Sequence, residues 1–311
     1  MAITTVTTTN TRPLLLVIVG PTAVGKTAAA IDVARHHGLE IVSADSRQFY
    51  RNTAIGTAHP TVEEQQAAKH HFIDFLDITT PYSSGDFERE AISFLDNHFL
   101  SQSAAIMTGG SGLYINAVLH GFDALPSDPT IREALIKELE ENGIEPLQEE
   151  LKERDPMHFS EMDIHNHQRL IRALEVCRTS GMAYSELRKN TQKSRNFRYA
   201  IAGITCDREE MYQRINMRVD KMVEAGLVEE ARLLHPHRGA NALNTVGYKE
   251  LFEHFDGKIS LEESIDLIKQ HTRNFAKRQM TWFRKQSEIT WFERSEKEAL
   301  LAWSDEQMRH P

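Results

Sequence analysis

Six consecutive aliphatic residues, Leu14 to Val19, form the first patterned segment of the chain, and a run that is apolar at every position predicts a strand buried on both faces of a parallel sheet. The Ala-rich stretch that starts at Lys26 predicts a helix after it. The alternation continues with a strand over Glu40 to Ser43, a strand centred on Ile73, a helix from Phe87 and a strand over Ala104 to Thr108. Strands and helices in this order up to about Phe122 predict an α/β core with a parallel sheet flanked by helices. After Leu125-Pro126-Ser127-Asp128-Pro129 the texture becomes charged and helix-periodic until Tyr199 to Thr205 again reads as a core strand. The economical reading is an all-helical insertion over residues 126–198 that leaves and re-enters a core made of 13–125 and 199–311. Arg208 to Met222, Leu227 to Leu234 and Leu261 to Gln286 place apolar residues three and four apart and predict further helices. Residues 1–12 carry six threonines and no apolar period, which predicts a flexible tail instead of a signal peptide.

Composition narrows the class. A chain of 311 residues buries a large core, and no stretch approaches the length of a membrane span. Cys177 and Cys206 stand apart with no CxxC or histidine at ligand spacing, which argues against a disulfide scaffold and against zinc. A cytoplasmic protein is expected, a monomer by default, with no obligate protein partner. The net charge of -9 counts against indiscriminate binding of nucleic acid. Two segments break that average. Arg188, Lys189, Lys193, Arg195 and Arg198 fall in one acid-free run, and Lys269, Arg273, Lys277, Arg278, Arg284 and Lys285 fall in another. Each run taken alone reads as a solvated helix face; beside a phosphate-binding motif, the pair points toward a polyanionic partner.

That motif is Gly20-Pro21-Thr22-Ala23-Val24-Gly25-Lys26-Thr27, a complete P-loop between strand and helix. Its glycines let the backbone wrap a phosphate, its amides and the helix N-terminus supply positive potential, Lys26 adds a cation and Thr27 offers a hydroxyl to magnesium. Asp45 follows the next strand, so its carboxylate emerges at the same sheet edge, open by itself to a structural role, a metal role or a base role, with Ser46, Arg47 and Gln48 offering hydrogen bonds suited to a base edge. Gly109-Gly110-Ser111-Gly112 puts a turn at that edge too, where glycine permits close backbone approach. Arg214 and Arg218 stand one helical turn apart, and their plain reading is a salt-bridge face toward Glu210 or Glu224. His165-Asn166-His167 lacks a further ligand and reads as a helix cap.

Taken together, Gly20 to Thr27, Ser43-Ala44-Asp45-Ser46-Arg47-Gln48, Ile55-Gly56-Thr57-Ala58, Gly109-Gly110-Ser111-Gly112-Leu113-Tyr114, Gln168-Arg169-Leu170-Ile171-Arg172, Val246-Gly247-Tyr248-Lys249-Glu250 and Thr272-Arg273 through Trp282-Phe283 resemble, in order, the motifs of the tRNA dimethylallyltransferase family, bacterial type. The chain departs from the family at His59, where lysine is common, at Ser111, where threonine is usual, and at Asn244-Thr245.

The resemblance implies transfer of a dimethylallyl group from dimethylallyl diphosphate to the exocyclic 6-amino group of the adenosine 3′-adjacent to the anticodon. It implies Asp45 as general base, with Lys26, Thr27 with Mg2+, and Arg218 stabilising the departing diphosphate in the cradle of Gly20 to Thr27, and Arg214 as companion. It implies contacts to the tRNA anticodon stem-loop from Asp45, Ser46, Arg47, Gln48, Ser111, Arg132, Gln168, Arg169, Leu170, Ile171, Arg172 and the segment Asn244, Thr245, Val246, Gly247, Tyr248, Lys249. The residues by themselves leave two alternatives open. A prenyltransferase acting on free adenine nucleotide shares the P-loop and Asp45, and a small-molecule kinase would put Lys26 on the β- and γ-phosphates of ATP.

Overall fold

The computed structural model describes residues 12–189 and 191–309. The expected tail over 1–12 therefore lies, apart from Arg12, outside the described residues. The described chain forms two compact units, one from the segments up to Leu119 and from Arg195 onward, the other from His120 to Ser194. The second unit begins and ends a few residues earlier than the 126–198 expected, because the helix after the glycine turn runs on to His120 and the returning strand already starts at Arg198.

The first unit is built on a six-stranded sheet whose pairings are all parallel: β1 (Leu14–Val19), β2 (Ile41–Ser43), β3 (His70–His71), β4 (Ala104–Gly109), β5 (Arg198–Thr205) and β6 (Ile289–Glu293), in the order β3-β2-β4-β1-β5-β6. The central strand β1 is buried at all six positions, and its side chains alternate between two cores. Leu15, Val17 and Val19 enter one core with Phe49, Phe87 and Tyr248; Leu14, Leu16 and Ile18 enter the other with Val33, Ile106 and Ile215. This two-sided burial is why the strand reads as an unbroken aliphatic run.

Helices cover both faces: α1 (Lys26–His37), α2 (Val62–Ala67), α3 (Ser84–His98), α4 (Gly112–His120), and, after the second unit, α10 (Arg208–Glu224), α11 (Leu227–Leu234), α12 (Tyr248–Phe255), α13 (Leu261–Phe283) and α14 (Lys297–Arg309). Local chemistry sets their ends. Ser83 caps α3 by accepting from the Asp86 amide, and the Asp86 carboxylate accepts from the Ser83 amide in return. Ser260 caps α13, and α1 stops at Gly38, whose φ of 69° is open to glycine at little cost.

Two expectations fail in this unit. Ile73 is not in a strand: β3 is only His70–His71, and Phe72 and Asp74 on either side of Ile73 take φ of 61° and 57°, which a strand cannot contain. The segment after Cys206 is not purely helical, because β6 adds a strand beside β5. Its burial alternates only partly and its sequence is flanked by charge, so it shows no aliphatic run.

The second unit is all-helical among its described residues: α5 (Pro129–Asn142), α6 (Glu145–Arg154), α7 (Pro156–Glu161), α8 (His167–Ser180) and α9 (Tyr184–Leu187). Its core gathers Leu135, Leu147, Leu151, Leu170, Leu174 and Cys177. Asn166 caps α8 by accepting from the Arg169 amide, as the cap reading of His165-Asn166-His167 requires. Both cysteines are buried and free.

Candidate active site

In a parallel sheet every strand delivers its following loop to the same edge, and here β1, β2 and β4 are neighbours or next neighbours. The P-loop after β1, Asp45 after β2 and the glycine turn after β4 therefore converge. Convergence is tight. The Ala44 amide donates to the Thr108 carbonyl at 2.7 Å, and a Cβ on Gly109 would stand 2.4 Å from the Ala44 carbonyl oxygen, so that position excludes any side chain. Gly25, immediately before α1, has φ of 105°, a backbone conformation that turns the loop into the helix N-terminus.

Two helices clamp the P-loop. Arg214 on α10 donates from Nε to the Ala23 carbonyl at 2.9 Å, and Arg218, one turn later, donates to Thr22 Oγ1 at 3.2 Å. The pair thus faces the loop, and Glu210 pairs instead with Arg294. From α13, Gln279 accepts from the Thr22 amide at 2.8 Å and donates to the Gly110 carbonyl at 2.9 Å, tying P-loop to glycine turn through one buried amide.

Thr22, Lys26, Thr27, Asp45, Gln48 and Arg218 line one small cavity of about 50 Å³, together with Ser43, Thr57, Pro60, His70, Thr108 and Gly109. Burial lowers the Lys26 pKa to about 8 against the pull of Asp45, and Arg218 adds repulsion. Arg218 is likewise lowered by burial and held up by Asp45. A carboxylate and two cations thus face one enclosed space, with the cations short of compensating negative charge. An anion entering there would supply it.

The loop carrying Asp45 is held from several sides. The Arg47 amide donates to Asp45 Oδ1 at 3.2 Å, and Ser46 meets the Ser111 hydroxyl with both its amide and its own hydroxyl at 3.1 Å. The other two members of this segment are engaged internally. Gln48 is buried and donates to the carbonyls of Thr57 and Ala58, and the Arg47 guanidinium donates to those of Asn241, Ala242 and Asn244. Gln48 therefore shapes the cavity wall, and Arg47 anchors the 241–244 segment.

Within Asn244 to Lys249, Asn244 and Lys249 are exposed, Thr245 and Val246 half-buried, and Gly247 and Tyr248 buried. The Tyr248 hydroxyl donates to Glu230, whose carboxylate also accepts from the amides of Ile55 and Gly56. In the second unit, Gln168 and Arg169 are exposed at the start of α8, while Leu170 and Ile171 are buried in its core. Arg132 and Arg172 both bind Glu175, which is 1% exposed, and Arg172 also donates to the Pro126 carbonyl. Those two arginines neutralise a buried carboxylate.

The basic runs divide similarly. Arg195 pairs with buried Glu88, Arg198 donates to the Gln307 carbonyl, Lys269 pairs with Asp220 and Arg273 donates to Asn216. Lys277 and Arg278 remain exposed on α13, where with Asn274 and Thr281 they line a surface depression. His70 and Glu230 lie outside the motifs, and Gln279 lies within the 272–283 motif without a role that the motif assigns. A signal for Gln279 exists, since it is polar on the face of α13 that buries Ala276, Met280 and Phe283.

A family description, IPP transferase, matches residues 48–286. A tRNA dimethylallyltransferase of Christiangramia forsetii is 52% identical, with 90% of this chain and 93% of that protein covered. A second, from Parabacteroides distasonis, is 44% identical over 94% of this chain and 99% of its own length. The crystal structure of the full-length tRNA isopentenylpyrophosphate transferase of Bacillus halodurans superposes with a TM-score of 0.68 at 34% identity, covering 96% of this chain and all, 100%, of the other. With the P-loop fold and its converging loops in place, this extent of similarity shows that the chain belongs to the IPP transferase family.

Proposed function

We propose that the chain is a tRNA dimethylallyltransferase, moving the dimethylallyl group of dimethylallyl diphosphate onto the exocyclic 6-amino group of the adenosine 3′-adjacent to the anticodon and releasing diphosphate. The observation that carries the reading is the shared lining of one cavity by Asp45, Lys26, Thr27, Thr22 and Arg218. An adenine amine is a weak nucleophile because its lone pair is delocalised, so a nearby base must remove a proton as the new bond forms. Asp45 is the carboxylate in that position. As N6 bonds to the prenyl carbon, the carbon–oxygen bond to diphosphate breaks, and the electron pair leaves with the oxygen. Lys26, Arg218 and the loop amides face the charge that develops there.

The donor set also suits magnesium, since the Thr27 hydroxyl and the Asp45 carboxylate are hard oxygen ligands on the same cavity. Thr27 would hold the ion, which when bound neutralises charge on diphosphate oxygens. Exposed Gln168, Arg169, Lys249, Lys277 and Arg278 are the side chains we assign to tRNA, and Ser46 and Ser111 the ones closest to the reacting base. No helix among the described residues is long and apolar enough to cross a membrane.

The test is transfer of label from radiolabelled dimethylallyl diphosphate with magnesium, offered unmodified tRNA and AMP in separate reactions. Label in tRNA alone is the expected result. Label in AMP would make the chain a nucleotide prenyltransferase, and phosphate transfer from ATP with no prenyl transfer would make it a kinase.

A further inference from the structure

The Nε2 atom of His70 is buried and has no hydrogen-bond partner, and His70 is one of the residues that line the cavity. Buried polar atoms in native proteins are nearly always paired, so an unpaired one in a site wall marks a place for a ligand atom. Three other side chains have such an atom among the described residues, His59, Arg195 and Arg198, but none of them lines this cavity.

The other ring nitrogen decides what His70 can bind. Nδ1 lies 2.8 Å from the Ala68 carbonyl oxygen, which only accepts, so Nδ1 carries the proton. Burial lowers the His70 pKa, with His71 acting in the same direction and Glu64 and the Ala68 carbonyl opposing, so the neutral ring is favoured. Nε2 is then a lone pair without a proton, a pure acceptor on a residue of the cavity wall. The backbone beneath it is fixed by the pairing of His70 with Ile41 between β3 and β2, the strand that delivers Asp45.

Of the two reactants, a diphosphate offers oxygen acceptors, which Nε2 cannot satisfy. The adenine amine offers two N–H groups. One proton must leave as the N–C bond forms, and Asp45 is its acceptor; the other stays on nitrogen in the product. We infer that His70 Nε2 accepts the hydrogen bond from this retained N–H, turning the amine so that its lone pair faces the prenyl carbon and its second proton faces Asp45. His70 carries no proton in the reaction. The assignment rests on the transfer reaction proposed above and adds a requirement for a primary amine.

Single-turnover transfer by the full chain to an anticodon stem-loop RNA, with magnesium and dimethylallyl diphosphate, tests it. His70→Asn retains a donor for Ala68 and removes the acceptor; His70→Gln places an acceptor oxygen near the position of Nε2. The expectation is that H70N loses about 10- to 100-fold in rate with unchanged diphosphate affinity, as misplacement of a reacting group does, while H70Q stays within about threefold. A purely structural role predicts the reverse order, rescue by H70N and loss in H70Q. Weakened diphosphate binding in H70N would put the ring on the donor instead. A variant-free measurement uses RNA with N6-methyladenosine at the target. Wild-type protein should transfer to it at least about tenfold more slowly, with no further loss in H70N. Equal rates on the two RNAs would overturn the assignment. Wild-type protein that transfers to neither RNA would overturn the transfer reading itself, whereas active wild type with the reversed variant order overturns only the role of His70.

Discussion

Lys26 shows how much of a side chain's behaviour its surroundings decide. The motif identifies it as a phosphate-binding lysine, but only the enclosed cavity lowers its pKa to about 8, from an ordinary 10.5. An ammonium is what a diphosphate prefers, so affinity for diphosphate should be level below pH 8 and fall by up to about tenfold per pH unit above it, with proton uptake on binding. Calorimetry in buffers of different ionisation enthalpy reads both effects, and affinity that stays level to pH 9.5 would contradict the low value. The same shift has a sign for stability. The unfolded chain holds this proton up to its higher pKa, so stability gains from Lys26 as pH rises from about 8 to 10.5. Arg218→Ala should weaken diphosphate binding as well as turnover, because its guanidinium reaches Thr22 within the loop. Of the residues read from motifs, Asp45, Lys26, Thr27, Gln48 and Arg218 meet in one cavity, whereas Arg132 and Arg172 bind the buried Glu175. Residue type and spacing do not distinguish an arginine that faces RNA from one that neutralises a buried Glu175; only the fold brings the carboxylate to it.

At the scale of elements, the loops at the sheet edge owe their precision to a few contacts from helices far along the chain. Gln279→Ala leaves the Thr22 amide and the Gly110 carbonyl without partners, which should cost about 1–3 kcal/mol in urea denaturation and raise the dissociation constant for diphosphate. A stability equal to wild type would mean that the bridge is dispensable. Gly56→Ala is the steric counterpart. Its Cβ would stand 2.5 Å from the Tyr248 ring, so overpacking should cost about 1–3 kcal/mol and loosen the 53–58 segment that Gln48 and Glu230 hold. Long elements with a clear period were legible in the sequence: β1, α11 and the start of α13 fall where expected. The misses are short or edge elements. β3 is two residues followed at once by the positive-φ Phe72, and β6 lies at the end of the sheet with exposed positions, so neither leaves an apolar run to read.

For the whole molecule the question is how a chain of net charge -9 holds a polyanion. Within the two basic runs Arg195 and Lys269 are spent on internal ion pairs and Arg198 and Arg273 on neutral oxygens, while Lys277 and Arg278 stay exposed to meet RNA. Charge reversal at Lys277 and Arg278 should weaken tRNA binding and lower the slope of log affinity against log salt by about 0.7–0.9 per lost phosphate contact, with diphosphate affinity unchanged. An unaltered slope would make that face of α13 ordinary solvated surface. One cavity joining a diphosphate cradle to a carboxylate base makes Asp45 the decisive position, and the decisive measurement is Asp45→Ala in a single-turnover reaction with dimethylallyl diphosphate bound and tRNA in excess. The expected rate is lower by about 100- to 10,000-fold with diphosphate affinity retained. A rate equal to that of the wild-type protein would contradict it.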